Sequence, residues 1–235
     1  MGRATTTLRM SSAFLVLFLS GCASATVDTG GIKAWAPPVT SAPAATAQDV
    51  AASRASGQAA GTTVVTDAKS GLSVTLPAGY VRITSKAQLA SLVKAGSASS
   101  GAKLEAASAQ YGSLVDSARI FAIKAGATDS AANLNILVVP AAGVDAAHVA
   151  DFYDQVQPTL EGQLGATIIS HKVETVAGTR ALRIEYRLPV GTKSVRGTQV
   201  YLVHKDSVLV TTVTQNDAKG SEAEVNLIVD SLRLG

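Results

Sequence analysis

Few residues in this chain can do covalent or acid–base chemistry, and their spacing narrows that chemistry. There is one cysteine, Cys22, and it closes the run Leu19-Ser20-Gly21-Cys22. A leucine, two small residues and a cysteine form the bacterial lipobox. There the thiol becomes a thioether to diacylglycerol and the chain is cut just before it. With no second cysteine, a disulfide or a paired-thiolate metal site is excluded. The histidines His148, His171 and His204 fall on different elements without ligand spacing, so no metal is expected. His148 lies one turn before Asp151 and reads as half of a surface pair at a helix start. His171 and His204 fall on strands and are expected to be neighbours across a sheet. The acidic pairs Asp151/Asp154 and Glu222/Glu224 sit on helix surfaces or caps, whereas general acid–base work needs two groups sharing a cleft. There is no Gly-x-Ser-x-Gly elbow and no glycine-rich phosphate loop. The expectation is a protein that is not an enzyme and takes no cofactor.

The segment before Cys22 supports the lipidation reading. Arg3 and Arg9 make a basic start without acids, and Met10 to Leu19 is apolar. About ten residues at 1.5 Å each cannot cross a hydrocarbon core of roughly 30 Å, so the segment reads as a signal, not a span. A diacylglyceryl group brings two acyl chains, each buried CH₂ contributing about 0.8 kcal/mol, where one chain alone binds marginally. The expected location is the cell membrane, lipid-anchored on its extracytoplasmic face. Losing Arg3 and Arg9 with the signal lowers the formal charge from +3 to +1. A near-neutral chain without basic runs argues against nucleic acid.

Three regions follow: a signal at 1–21, the lipidated cysteine with a disordered tether at 22–60, and a globular domain at 61–235. The tether is rich in Ala, Ser, Thr, Pro and Gly, and Pro37, Pro38 and Pro43 interrupt regular structure. Trp35 is its aromatic exception and reads as an interfacial or incidental residue. A coil of this length spans on the order of 35 Å.

Within the domain, β-branched and apolar runs place strands at 62–66, 80–83 and 120–123, and alternation places them at 72–76 and 133–138. Four more, at about 166–176, 180–188, 196–205 and 208–215, run nearly end to end. Turns are expected at Ala177-Gly178-Thr179 and Lys205-Asp206-Ser207, and a longer loop from Pro189 to Ser194. Leu182, Ile184, Tyr186 and Leu188 alternate with Arg183, Glu185 and Arg187, which predicts one buried and one wet face. Helical spacing marks Lys86 to Lys94 and the stretch from Leu104 through Tyr111 to Val115. A longer helix starts at an Asp145 N-cap, with a kink or break expected near Gln157 ahead of Pro158. Ser221 and Glu224 form a capping-box signature before the last helix. Antiparallel strands with helices between them make the class α+β, a sheet flanked by helices.

One stripe could bind a ligand: Val149, Phe152, Tyr153, Val156 and Leu160. It reads as core packing or as the lining of an apolar groove for an acyl chain, opened where Pro158 kinks the helix.

The order of elements resembles a known family. Gly71-Leu72-Ser73-Val74-Thr75-Leu76-Pro77-Ala78-Gly79-Tyr80 resembles the opening of the PsbP-like fold. Asn133-Leu134-Asn135-Ile136-Leu137-Val138 resembles its central strand, and Val229-Asp230-Ser231-Leu232-Arg233-Leu234 its closing element. With the lipobox and Ala/Thr-rich tether in front, the chain resembles the LpqN-type lipoproteins of actinobacteria. The resemblance covers about residues 68–234 and implies an α/β/α sandwich around an antiparallel sheet. It also implies a role in cell-envelope lipid traffic, either binding a lipid or glycolipid or escorting it to an envelope transport protein. The alternative is an interaction module that docks onto a membrane complex, with the Arg183, Glu185 and Arg187 face as its contact surface.

Overall fold

The computed structural model describes residues 61–96, 111–125, 132–190, 193–217 and 221–235. Cys22, the signal, the tether with Trp35, the Leu104 part of the second helical stretch and residues 97–101 and 126–131 lie outside the described residues.

The described residues hold nine strands: β1 Thr63–Thr66, β2 Ser73–Leu76, β3 Tyr80–Arg82, β4 Ile120–Lys124, β5 Asn133–Pro140, β6 Thr167–Val176, β7 Thr179–Val190, β8 Lys193–His204 and β9 Ser207–Asn216. β1 and β2 form a separate antiparallel hairpin, and the rest make one antiparallel sheet in the order β3-β4-β5-β9-β8-β7-β6. Helix α1 spans Lys86–Gly96, α2 Phe152–Pro158 and α3 Glu222–Asp230, with a further helix at 111–117.

Side chains from alternate positions divide the core between the two sheet faces. On the first face Leu134, Ile136, Leu202, Leu209 and Val213 meet Val225, Ile228, Val229 and Leu232 of α3 and Val74 and Leu76 of β2. On the second face Leu182, Ile184, Tyr186, Tyr201 and Val210 meet Val149, Phe152, Val156 and Leu160. Phe121 anchors a smaller cluster with Leu89 and Leu114. The architecture is the expected α+β one, an antiparallel sheet with helices on both faces.

Several local expectations change. β7 and β8 continue through Pro189 and Ser194, which pair with each other, so the connection is shorter than the sequence suggested. Proline is tolerated there because β6 pairs with β7 no further along than Arg187, leaving Pro189 without a neighbour on that side. Ala177 and Gly178 both adopt positive φ, 51° and 78°, the turn that matches the twist of a two-residue hairpin. The capping box before α3 is half formed. The Ser221 hydroxyl accepts from the Glu224 N–H at 3.3 Å, but the Glu224 carboxylate is taken by Lys124 at 2.6 Å and Gln215 at 3.3 Å. The charged lysine outcompetes a backbone N–H for the carboxylate.

Candidate binding site

The helical stretch from Asp145 crosses the second face from the end of β5 to the start of β6. Its Asp145 cap is present, the carboxylate accepting from Ala147 N at 3.0 Å. It is not one helix but three: a 3₁₀ segment Ala146–Asp151, then α2, then a π-helical turn Thr159–Gln163. The α pattern runs through Gln157 and Pro158, and the change of pitch follows the proline. Pro158 has no N–H to continue the ladder, and the chain recovers with wider closures, Leu164 N to Thr159 O at 3.1 Å and Ala166 N to Leu160 O at 2.8 Å.

This geometry decides what the stripe touches. Val149, Phe152, Val156 and Leu160 are all buried against the sheet. Phe152 meets Tyr201 edge to face, with centroids 6.3 Å apart. At about 1.5–3 kcal/mol for each large side chain, this packing is a main support of the second face. Tyr153 stands apart. It is half-buried and stacks on His171 of β6, with centroids 3.7 Å apart and planes at 20°.

Between the α2 cluster and the Phe121 cluster lies a polar row that the sequence pattern hid. Cross-strand register lines up Asn135, Thr212 and Gln199 across β5, β9 and β8. All three are buried, as is Asn133, although the asparagines alternate with the apolar Leu134 and Ile136. The Tyr201 hydroxyl donates to Gln199 Oε1 at 2.6 Å. Asn135 Oδ1, Thr212 Oγ1, Gln199 Nε2 and the Tyr186 hydroxyl have no hydrogen-bond partner among the described residues. Burial raises the Tyr186 and Tyr201 hydroxyl pKa values, so both stay protonated. The one signal available was composition, amide and threonine side chains in strands otherwise rich in Val and Leu.

The expected wet face of β7 is also covered. Arg183 and Glu185 are buried, and only Arg187 is exposed. Arg183 donates to Asn226 of α3 at 2.8 Å and pairs with Glu185 at 3.0 Å and Glu174 at 3.7 Å. Glu185 also accepts from Arg196 at 2.6 Å. Arg187 reaches Asp217 at 2.6 Å, which also accepts from Ser194. Helix α3 and mutual neutralisation, not solvent, satisfy these charges.

Burial works against the Glu185 charge, but the Arg196 hydrogen bond and the Arg183 and Arg196 charges outweigh it and hold its pKa below the ordinary value. A depressed carboxylate contributes stability above its unfolded pKa, about 4.3, and that contribution is lost as pH falls through the folded value. Glu185→Gln is therefore expected to cost stability at pH 7 and progressively less below pH 4.3. Urea denaturation at stepped pH checks this, and a constant deficit at every pH would remove the charge from the explanation.

The histidines do not converge. His171 pairs with Ile184, in register with Gln199 of β8, whereas His204 lies at the end of β8 opposite Ser207 and 3.0 Å from Gly235 O, so the two are not neighbours. His148 approaches Asp145 at 3.9 Å, not Asp151. No group of three metal-ligating side chains occurs among the described residues, and no described helix is long and apolar enough to cross a membrane.

No protein-family model matches the chain, and no curated protein matches it. Solved structures with a similar shape include the cyanobacterial PsbP protein CyanoP of Synechocystis sp. PCC 6803, 13% identical, with 77% of this chain and 96% of that one covered and a TM-score of 0.48. Another is LpqN of Mycobacterium tuberculosis, described as involved in cell envelope biogenesis, 12% identical, covering 74% and 90%, with a TM-score of 0.41. A third, from Bacteroides thetaiotaomicron, is 7% identical, covers 74% and 48%, and has a TM-score of 0.44.

Proposed function

We propose that this chain is a lipid-anchored envelope protein, held at Cys22 on the extracytoplasmic face of the cell membrane, whose domain binds and performs no reaction. The observation that carries the reading is Leu19-Ser20-Gly21-Cys22 directly after a basic start and a ten-residue apolar run. Two acyl chains on one thioether suffice for stable attachment without a spanning helix.

Between the two modes of binding, packing favours docking onto an envelope membrane complex. Val149, Phe152, Val156 and Leu160 spend their surface on the sheet, and an acyl groove along that stripe would have to displace them. The lipid or glycolipid carrier remains the competing mode, and Tyr153, half-buried at the rim, is the member of the stripe a ligand could reach.

Cys22→Ser is expected to move the chain from the membrane to the soluble fraction with its fold intact, read by fractionation and circular dichroism. A variant that stays in the membrane would sink the anchor. Native mass spectrometry of the protein purified from cells separates the modes. Retained lipid supports the carrier, whereas a lipid-free chain that cross-links to one membrane complex supports docking.

A further inference from the structure

β6 ends the seven-stranded sheet and pairs only with β7 among the described strands. Most of its length is exposed, including Ile169 at 43% and Val173 at 39%. Such an edge offers a row of backbone N–H and C=O groups to another strand, and sheets usually blunt it with charges, bulges or cover. β6 has one bulge, where the register slips between Ile168 and Ser170. From Ser170 to Val176 the strand is regular, and the midpoint of that stretch is Val173.

The chemistry of this stretch is self-complementary. Lys172 and Glu174 flank Val173 and share the first sheet face, while Val173 lies on the second, opposite Leu182. In one chain the two charges meet at 2.7 Å. When two copies of β6 pair antiparallel about a two-fold axis normal to the sheet, only whole-residue positions of the axis keep like faces together. An axis at Lys172 sets lysine opposite lysine, and one at Glu174 sets glutamate opposite glutamate. Like charges directly opposite destabilise a sheet. An axis at Val173 sets each Lys172 opposite Glu174 of the second copy, valine against valine and His171 opposite Thr175. It also uses the whole regular stretch, from Ser170 opposite Val176 onward, and stops at the bulge.

We infer that β6 is a self-pairing edge: two copies of this chain join through antiparallel β6 strands centred on Val173 and form one continuous sheet. The occupant of the edge is a second copy, and the interface is isologous. It is also small, so the pairing is reversible.

Disulfide trapping in cells expressing the full chain tests this, with diamide as oxidant and dimer read on non-reducing gels of whole-cell protein. That readout does not depend on whether the anchor holds. Wild type, whose single cysteine is Cys22, is the blank. Across the proposed axis two copies of residue 173 face each other within disulfide reach, whereas two copies of Thr167 stand roughly 40 Å apart. Val173→Cys is expected to give at least tenfold more dimer than Thr167→Cys. Adding Lys172→Glu or Glu174→Lys to Val173→Cys should lower the yield several-fold. Co-expressing the two charge variants should restore it, since the mixed pair sets glutamates opposite lysines. A misfolded chain would not be rescued in this way. Equal yields from Val173→Cys and Thr167→Cys, no dimer at all, or no rescue in the mixed pair would overturn the proposal.

Discussion

Gly197→Ala is expected to lower the stability of the domain by about 3 kcal/mol, the upper range for overpacking a core. Gly197 faces Tyr186 across the β7–β8 ladder, and the Tyr186 ring lies over it. An added methyl would overlap Cζ and Cε2 of that ring and stand 2.5 Å from its hydroxyl oxygen. The tip of a tyrosine ordinarily swings aside, but this one is fully buried in the α2 cluster. Urea denaturation of the single and double variants checks the cause. Combining Gly197→Ala with Tyr186→Leu should cost less than the two separately, because the smaller side chain vacates the space. Tyr186→Phe alone should be neutral or mildly stabilising, since its hydroxyl is buried without a partner among the described residues. If the double variant is strictly additive, the ring is not what excludes a side chain at 197.

Arg183→Met should cost about as much for a different reason. Arg183 is 5% exposed and stands between Glu174, Glu185 and Asn226. Removing it leaves Glu185 with Arg196 alone and Glu174 with the exposed Lys172, and stripping one partner from a buried pair typically costs about 3–5 kcal/mol. Since Arg196 remains, the lower end is expected. Arg187→Met is the contrast: its side chain is half exposed and its partner Asp217 keeps Ser194 as a donor, so the loss of stability should be small. Equal losses for the two variants would show that burial is not the deciding variable.

Alternation placed Tyr186 on the buried face correctly but described the surroundings of Arg183 incorrectly. The sequence pattern located the nine described strands within a few residues because β-branched runs and hydrophobic period two are local properties. It also located the Asp145 and Ser221 caps, where a short polar side chain precedes an apolar run. What period two cannot reveal is a sheet covered on both sides. Arg183 and Glu185 alternate like solvent-facing residues, yet α3 lies over them. Asn135 and Gln199 alternate likewise, yet they are buried between two helical clusters. The stripe from Val149 to Leu160 was legible as a stripe, but its use depended on where Pro158 let the chain turn. The path of Glu224 to Lys124 was illegible for the same reason, since the two are 100 residues apart in sequence.

The sheet order carries a kinetic consequence. β6, β7, β8 and β9 are sequential neighbours with two residues between the paired ends of each, whereas β5 meets β9 with more than sixty residues between Pro140 and Ser207. Closing a loop of that length costs about 2–3 kcal/mol more entropy than closing a hairpin. The four-stranded meander therefore has a route to form by itself, and folding waits on β5 finding its place beside β9. Truncations at Leu134 and Ile136 on this junction should slow folding, and changes at the Ala177-Gly178 turn, which forms before β5 docks, should slow folding too while leaving the rate of unfolding nearly unchanged.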